Sequence, residues 1–223
     1  TQKKKEKTIS FFKKKVQRKI ISYFQKKKFE SMQQKEIFGK LRREYSQMVL
    51  DESNAHPNPF EQFHQWFQNT LALEIADCSA MILSTCGNAK QPSSRVVLLK
   101  EYDENGFVFY TNYESRKGSE IAENQSVSLL FFWKELERQV RIEGNAEKIS
   151  SEQSASYFHS RPRESQIGAL VSHQSSVVES RVILENKFIA IEQEYYGKEI
   201  PLPSNWGGYV VRPARIEFWQ GRA

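Results

Sequence analysis

Val127-Ser128-Leu129-Leu130-Phe131-Phe132-Trp133-Lys134-Glu135-Leu136-Glu137-Arg138-Gln139-Val140-Arg141-Ile142 sets two runs rich in aromatic and aliphatic residues around a short charged link. Such residues at period two fit the pleated, half-buried surface of a sheet. They predict strands over Val127–Trp133 and Arg138–Ile149, turning at Lys134-Glu135. On the second, Gln139 and Arg141 share a face opposite Val140 and Ile142. Upstream the same period gives Ser79–Thr85, Ser94–Glu101 and Gly106–Thr111, with turn signals at Gly87-Asn88 and Asp103-Glu104-Asn105-Gly106. Two last strands follow Pro201 and Pro203, around Gly208–Val211 and Arg215–Gln220. Short links between the first five predict an antiparallel meander curling into a barrel.

Helical signals flank these strands. Asn58-Pro59-Phe60-Glu61 reads as N-cap, first-turn proline and capping-box glutamate, and Phe60, Phe63, Phe67 and Leu71 then recur at core-facing spacing. Ser115 to about Asn124 forms a helical link. Ser150 with Gln153 opens a short helix carrying Tyr157, and Glu179–Tyr196 sets Leu184, Phe188, Ile191 and Tyr195 on one face before Gly197. The fold class is mainly β, a β-barrel with flanking helices.

The 223 residues suit one domain, 41–223, behind a basic extension, 1–40. The formal charge of +6 divides unevenly: residues 1–45 carry a net +12 and the rest a net −6. Ile9, Phe12, Val16, Ile20 and Phe24 form a helical stripe on the lysine-rich arm. A membrane-surface helix, a targeting segment and a nucleic-acid arm all fit that stripe; a poorly ordered, dispensable extension is the reading preferred. The acidic domain argues against nucleic acid. Two cysteines without paired spacing suit a reducing compartment, hence a cytoplasmic protein, and no apolar run has the length of a membrane span. The four histidines lack metal-ligand spacing, and no Walker loop, nucleophile elbow or dinucleotide fingerprint is present. Redox chemistry would therefore need a bound cofactor.

Four segments concentrate polar chemistry. In Arg95-Val96-Val97-Leu98-Leu99-Lys100, alternation puts the two cations on opposite faces, where they could serve two anions; on this segment alone a half-buried strand with charged ends is the preferred reading. In Tyr110-Thr111-Asn112-Tyr113-Glu114-Ser115-Arg116-Lys117-Gly118, Ser115 is a plausible N-cap. Arg116 and Lys117 then oppose the helix dipole unless an anion binds there. A solvated surface pair is as good a reading. Gln139 offers an amide able to donate to and accept from a heterocycle edge. Finally, Tyr157-Phe158-His159-Ser160-Arg161-Pro162-Arg163-Glu164-Ser165-Gln166-Ile167-Gly168, with Ser172-His173-Gln174-Ser175-Ser176 after it, gathers guanidinium forks and hydroxyls suited to a phosphate monoester.

Together with Phe218-Trp219-Gln220-Gly221, these motifs resemble the pyridoxamine 5′-phosphate oxidases from about Leu41 to Gly221. Related flavin split barrels lack the Arg-Pro-Arg-x-Ser-Gln-Ile-Gly run. The resemblance implies an antiparallel FMN-binding split barrel that forms a homodimer with FMN at the subunit interface. It implies that Arg95, Val96, Val97, Leu98, Leu99 and Lys100 lie along the flavin, with Arg95 toward its phosphate and Lys100 toward the substrate phosphate. Tyr110, Thr111, Arg116 and Lys117 would contact the FMN phosphate and ribityl chain, Gln139 its ring, and Gln174, Ser175 and Trp219 the rest. Tyr157, Arg161 and Ser165 would hold the substrate phosphate, and Arg42 and Tyr45 would close over the substrate. The implied reaction moves a hydride from the substrate 4′ carbon to flavin N5. Dioxygen then yields hydrogen peroxide, and pyridoxamine or pyridoxine 5′-phosphate becomes pyridoxal 5′-phosphate. The family continues past Trp-Gln-Gly into an Arg-Leu-His-Asp-Arg segment that supplies its catalytic arginine and histidine. This sequence stops at Ala223, so a fragment is expected. The alternative is a non-catalytic FMN- or pyridoxal-phosphate-binding split barrel.

Overall fold

The structure is a computed structural model that describes residues 49–222. The basic extension, Arg42 and Tyr45 lie outside the described residues. The order is α1 Pro59–Ala72, β1 Ala80–Cys86, β2 Pro92–Leu98, β3 Glu101–Asp103, β4 Gly106–Asn112, α2 Arg116–Glu123 and β5 Ser126–Trp133. After a 3₁₀ turn at Lys134–Leu136 come β6 Arg138–Lys148, α3 Ser151–Ser160, α4 Arg163–Val171, α5 Arg181–Glu194 and β7 Trp206–Gln220.

The expected meander is corrected. The seven strands form one antiparallel sheet in the order β2-β1-β5-β6-β7-β4-β3, so β1 pairs with β5 and β7 enters between β6 and β4. The two outer strands, β2 and β3, are consecutive in the chain. The single strand expected over Ser94–Glu101 ends at Leu98 as part of β2, and its last residue, Glu101, opens β3. Leu99 N donates to Ser79 O on the β1 side, and Lys100 N donates to Val108 O on the β4 side. The chain thus parts between these residues and joins the ends of the curled sheet covalently.

The two last strands expected are also one, the fifteen-residue β7. Pro213 lacks the N–H of a ladder residue, and the register shifts between Glu143 and Gly144, opposite it. A side chain at Gly144 would run into the Arg212 carbonyl, so this bulge needs glycine.

The sheet curls around an aromatic core. Asn58 Oδ1 accepts from Phe60 N at 2.8 Å and starts α1 as read. Phe63 of α1 is fully buried, edge-on to Phe107 at 4.9 Å, Tyr102 at 5.0 Å and Phe131 at 5.1 Å. Burial of such a ring stabilises by roughly 1.5–3 kcal/mol. A second, smaller core of Phe158, Ile167, Val171, Ile200 and Trp206 joins α3 and α4 to the start of β7. Helix α4 was not anticipated. Pro162 precedes it and holds Arg161 extended (φ −75°, ψ 152°), so the chain turns between α3 and α4 on these two residues.

Candidate functional site

A cavity of about 830 Å³ opens between the β2–β3 junction, β4 and the α3–α4 turn. The break after Leu98 decides its walls. Arg95 and Lys100 both line it, along with Val96, Val97 and Leu98, so the opposite-face reading of the two cations is corrected to two positions on one cavity. Leu99 instead fills the core, at 5% exposure.

The first group of cations is Arg95 and Lys117. Ser115 caps α2 as expected, accepting from Gly118 N, and turns the first helical residues toward β4. Lys117 is buried, and its Nζ donates to Gln174 Oε1 at 2.8 Å, Thr111 Oγ1 at 3.2 Å and Ser115 Oγ at 3.3 Å. Burial, and then the nearby Arg95 cation, lower its pKa to about 8. Arg95 donates through Nη1 to Thr85 Oγ1 and Leu83 O, and through Nη2 to Ser93 Oγ and Glu120 Oε2. Arg116 does not reach the cavity: its exposed side chain donates to Glu120 Oε1 at 2.8 Å.

The second group is Lys100 and Arg161, with Tyr157 and Ser165. Tyr157 stacks on Tyr110 at 3.9 Å, and Lys100 Nζ lies 6.0 Å from the Tyr157 ring centroid. Tyr110 Oη donates to Glu101 Oε1 at 3.3 Å, and burial, then the Glu101 charge, push its pKa well up. The Arg161 guanidinium covers the Trp206 indole at 4.7 Å and the Phe158 ring at 5.7 Å. Its Nη1 is buried with no hydrogen-bond partner, and desolvation lowers its pKa. An unpaired buried donor on a cation costs free energy that an incoming anion would recover.

Several walls were not anticipated, namely Asn112, Pro162, Gly168, Ala169, Ser172 and Trp206. Trp206 matters most. It pairs with Asn112 across β7 and β4, and that register brings it under Arg161. Besides Leu99 and Arg116, three more residues expected at the cofactor stand elsewhere. Ser175 lies outside the cavity in a left-handed conformation, φ 71°. Gln139 and Trp219 face each other across β6 and β7, next to Phe132 on the outer surface of the sheet.

This arrangement can hold two anions in one cleft, with aromatic walls beside the second. The sequence pattern of the pyridoxamine 5′-phosphate oxidase family matches residues 67–195, and that of the pyridoxine 5′-phosphate oxidase C-terminal dimerisation region matches 206–223. The chain belongs to the pyridoxamine 5′-phosphate oxidase family. Pyridoxine/pyridoxamine 5′-phosphate oxidase of Crocosphaera subtropica is 53% identical over 182 residues, covering 82% of this chain and 85% of that protein. The protein of the same name from Trichormus variabilis is 50% identical over 183 residues, covering 82% and 86%. Among solved structures, PhzG of Burkholderia lata, in complex with tetrahydrophenazine-1-carboxylic acid, superposes with a TM-score of 0.75 at 24% identity. That match covers 80% of this chain and 88% of PhzG. A pyridoxamine 5′-phosphate oxidase-related, FMN-binding protein of Nostoc punctiforme gives a TM-score of 0.57 at 12% identity, covering 74% and 85%. These two likenesses show the fold, the split barrel of oxidases of this family. Among the described residues no helix is long and apolar enough to cross a membrane, and no cluster of three His, Cys, Asp or Glu could hold a metal.

Proposed function

We propose that this chain is an FMN-dependent oxidase converting pyridoxamine or pyridoxine 5′-phosphate to pyridoxal 5′-phosphate, with dioxygen as acceptor. The observation that carries this reading is the presence of two separate cation groups in one cavity, Arg95 with Lys117 and Lys100 with Arg161. A flavin mononucleotide and a phosphorylated substrate bring two phosphates to the same cleft. The donors fit both. Lys117, Thr111 and Gln174 would hold the FMN phosphate with Arg95, and Val96, Val97 and Leu98 would lie along the flavin. Lys100, Tyr157, Arg161 and Ser165 would hold the substrate phosphate, with Arg161 Nη1 gaining the partner it lacks.

When bound, FMN supplies a two-electron acceptor that dioxygen restores with formation of hydrogen peroxide. The chain's own part is positioning. Anchoring the substrate by its phosphate fixes the distance of the reacting carbon from the flavin wall, and the Tyr110–Tyr157 stack narrows the cleft beside it.

A homodimer accounts for the residues the cavity lacks. Val96, Leu98, Ile82, Phe132 and Trp219 leave an apolar outer face, with Val96 65% and Phe132 56% exposed. A second copy covering that face would bring Gln139 and Trp219 to its neighbour's flavin. The match of 206–223 to a dimerisation region supports this.

The test is turnover. FMN-loaded protein given pyridoxamine 5′-phosphate in air should produce pyridoxal 5′-phosphate and hydrogen peroxide, and unphosphorylated pyridoxamine should be a poor substrate. FMN binding without product would identify a non-catalytic binder instead.

A further inference from the structure

We propose that Glu120 is a positioning residue, whose carboxylate holds the Arg95 guanidinium group in place to receive the phosphate of FMN. This rests on the reading of FMN as the cofactor. Glu120 does not line the cavity. It stands behind it on α2, with its side chain 13% exposed, and reaches across to the β1–β2 hairpin.

The hydrogen-bond directions leave little freedom. Glu120 Oε2 accepts from Thr85 Oγ1 and Ser93 Oγ, each at 2.5 Å, and Arg95 Nη2 lies 3.3 Å away. Arg95 in turn donates to both hydroxyls. A guanidinium only donates and a carboxylate only accepts, so each hydroxyl takes a hydrogen from Arg95 and passes its own to Glu120. The carboxylate thereby sets the orientation of both hydroxyls and, through them, of the Arg95 fork. Its other oxygen, Oε1, takes Arg116 Nε at 2.8 Å, one helical turn away. Burial would raise the Glu120 pKa, but the hydrogen bonds from Ser93 and Thr85, and the pairing with Arg116, bring it down to about 2. The carboxylate is therefore charged at any pH where the protein works.

Charge balance agrees. Arg95 and Lys117 bring two positive charges to the cavity, matched to a phosphate monoester of charge about −2, while Arg116 offsets Glu120 outside it. Without Glu120, Arg95 and Arg116 would lose the counter-ion they share.

The alternative is that Glu120 only pins α2 to the hairpin, or only opposes the phosphate. Comparing FMN with riboflavin, which shares the ring and ribityl chain but has no phosphate, separates these roles. The measurement is quenching of flavin fluorescence on titrating flavin-free full-length protein. Wild type should bind FMN more tightly than riboflavin. Glu120→Ala should weaken FMN roughly tenfold to a hundredfold, the scale of lost hydrogen bonds to a charged group, and leave riboflavin unchanged. Glu120→Gln keeps one acceptor for Thr85, Ser93 and Arg95 and should recover part of the loss. Equal losses for both flavins, or FMN affinity unchanged or raised in Glu120→Ala, would overturn the proposal. A wild-type protein with no preference for FMN would overturn the cofactor reading itself, and this inference with it.

Discussion

The Arg161 guanidinium lies on the Trp206 indole, 4.7 Å from the ring centroid, while its Nη1 is buried without a hydrogen-bond partner. One face of the cation is satisfied by π electrons, and the buried Nη1 is left for a ligand. Trp206 comes from the start of β7 and Arg161 from the α3–α4 turn, so the pair exists only when the helical layer is docked on the sheet.

Replacing the indole removes that shelf without touching a hydrogen bond. Cation–π contacts contribute about 0.5–2 kcal/mol. Trp206→Leu is therefore expected to weaken phosphorylated substrate about two- to thirtyfold in steady-state KM, with FMN affinity unchanged.

Lys117 gives a pH dependence. Its pKa is lowered to about 8, and its other neighbours, Thr111, Ser115 and Gln174, are neutral, with Arg95 the nearby charge. A cation that must be charged to hold phosphate is lost as pH rises through that value. FMN affinity should fall from pH 7 to pH 9 in wild type, and a fluorescence titration should show that limb flattened in Lys117→Met. For stability the sign is opposite. The unfolded chain keeps the Lys117 proton to higher pH, so this group's destabilising effect is largest below about pH 8 and fades above it.

The aromatic core sets the stability of the barrel. Phe63→Ala leaves a cavity among Phe107, Tyr102 and Phe131 and is expected to cost about 3–5 kcal/mol in urea unfolding. Asn58→Ala removes only the α1 cap and should cost about 1 kcal/mol.

The outer face tests assembly. Phe132 is exposed beside Gln139 and Trp219 on the sheet. A charge there should be tolerated by the fold and not by a dimer, so Phe132→Glu should elute as a monomer with unchanged far-UV circular dichroism and much weaker FMN binding.

Much of this fold was legible because period two is hard to disguise. The strands at Val127–Trp133 and Arg138–Ile149 emerge within a residue of their observed bounds. The parting at Leu99 and Lys100 was not legible, since the apolar run Val96–Leu99 carries no turn residue and only pairing partners reveal the break. The two strands expected around Gly208–Val211 and Arg215–Gln220 are continuous because β7 takes up one extra residue, Ala214, opposite Glu143 and Gly144, which the sequence of β7 alone does not show. Helix α4 was hidden behind Arg161-Pro162, which signals an ending more strongly than a beginning. In the site, the cluster of guanidinium and hydroxyl donors on Tyr157, Arg161 and Ser165 was legible from side-chain chemistry. Trp206 was not, because its role comes from a register forty or more residues away from them.

The central claim is that one cavity holds two phosphates through separate residues. Two variants, Lys117→Met and Arg161→Met, should each be titrated with FMN and then, once FMN-loaded, with 4′-deoxypyridoxine 5′-phosphate, which has no 4′ group to oxidise. The account predicts that Lys117→Met loses FMN affinity by about thirtyfold or more, the scale of a truncated buried charge contact. Arg161→Met should keep FMN and lose the substrate analogue by a similar factor. Equal weakening of both ligands in both variants, or competition between FMN and the analogue, would contradict it.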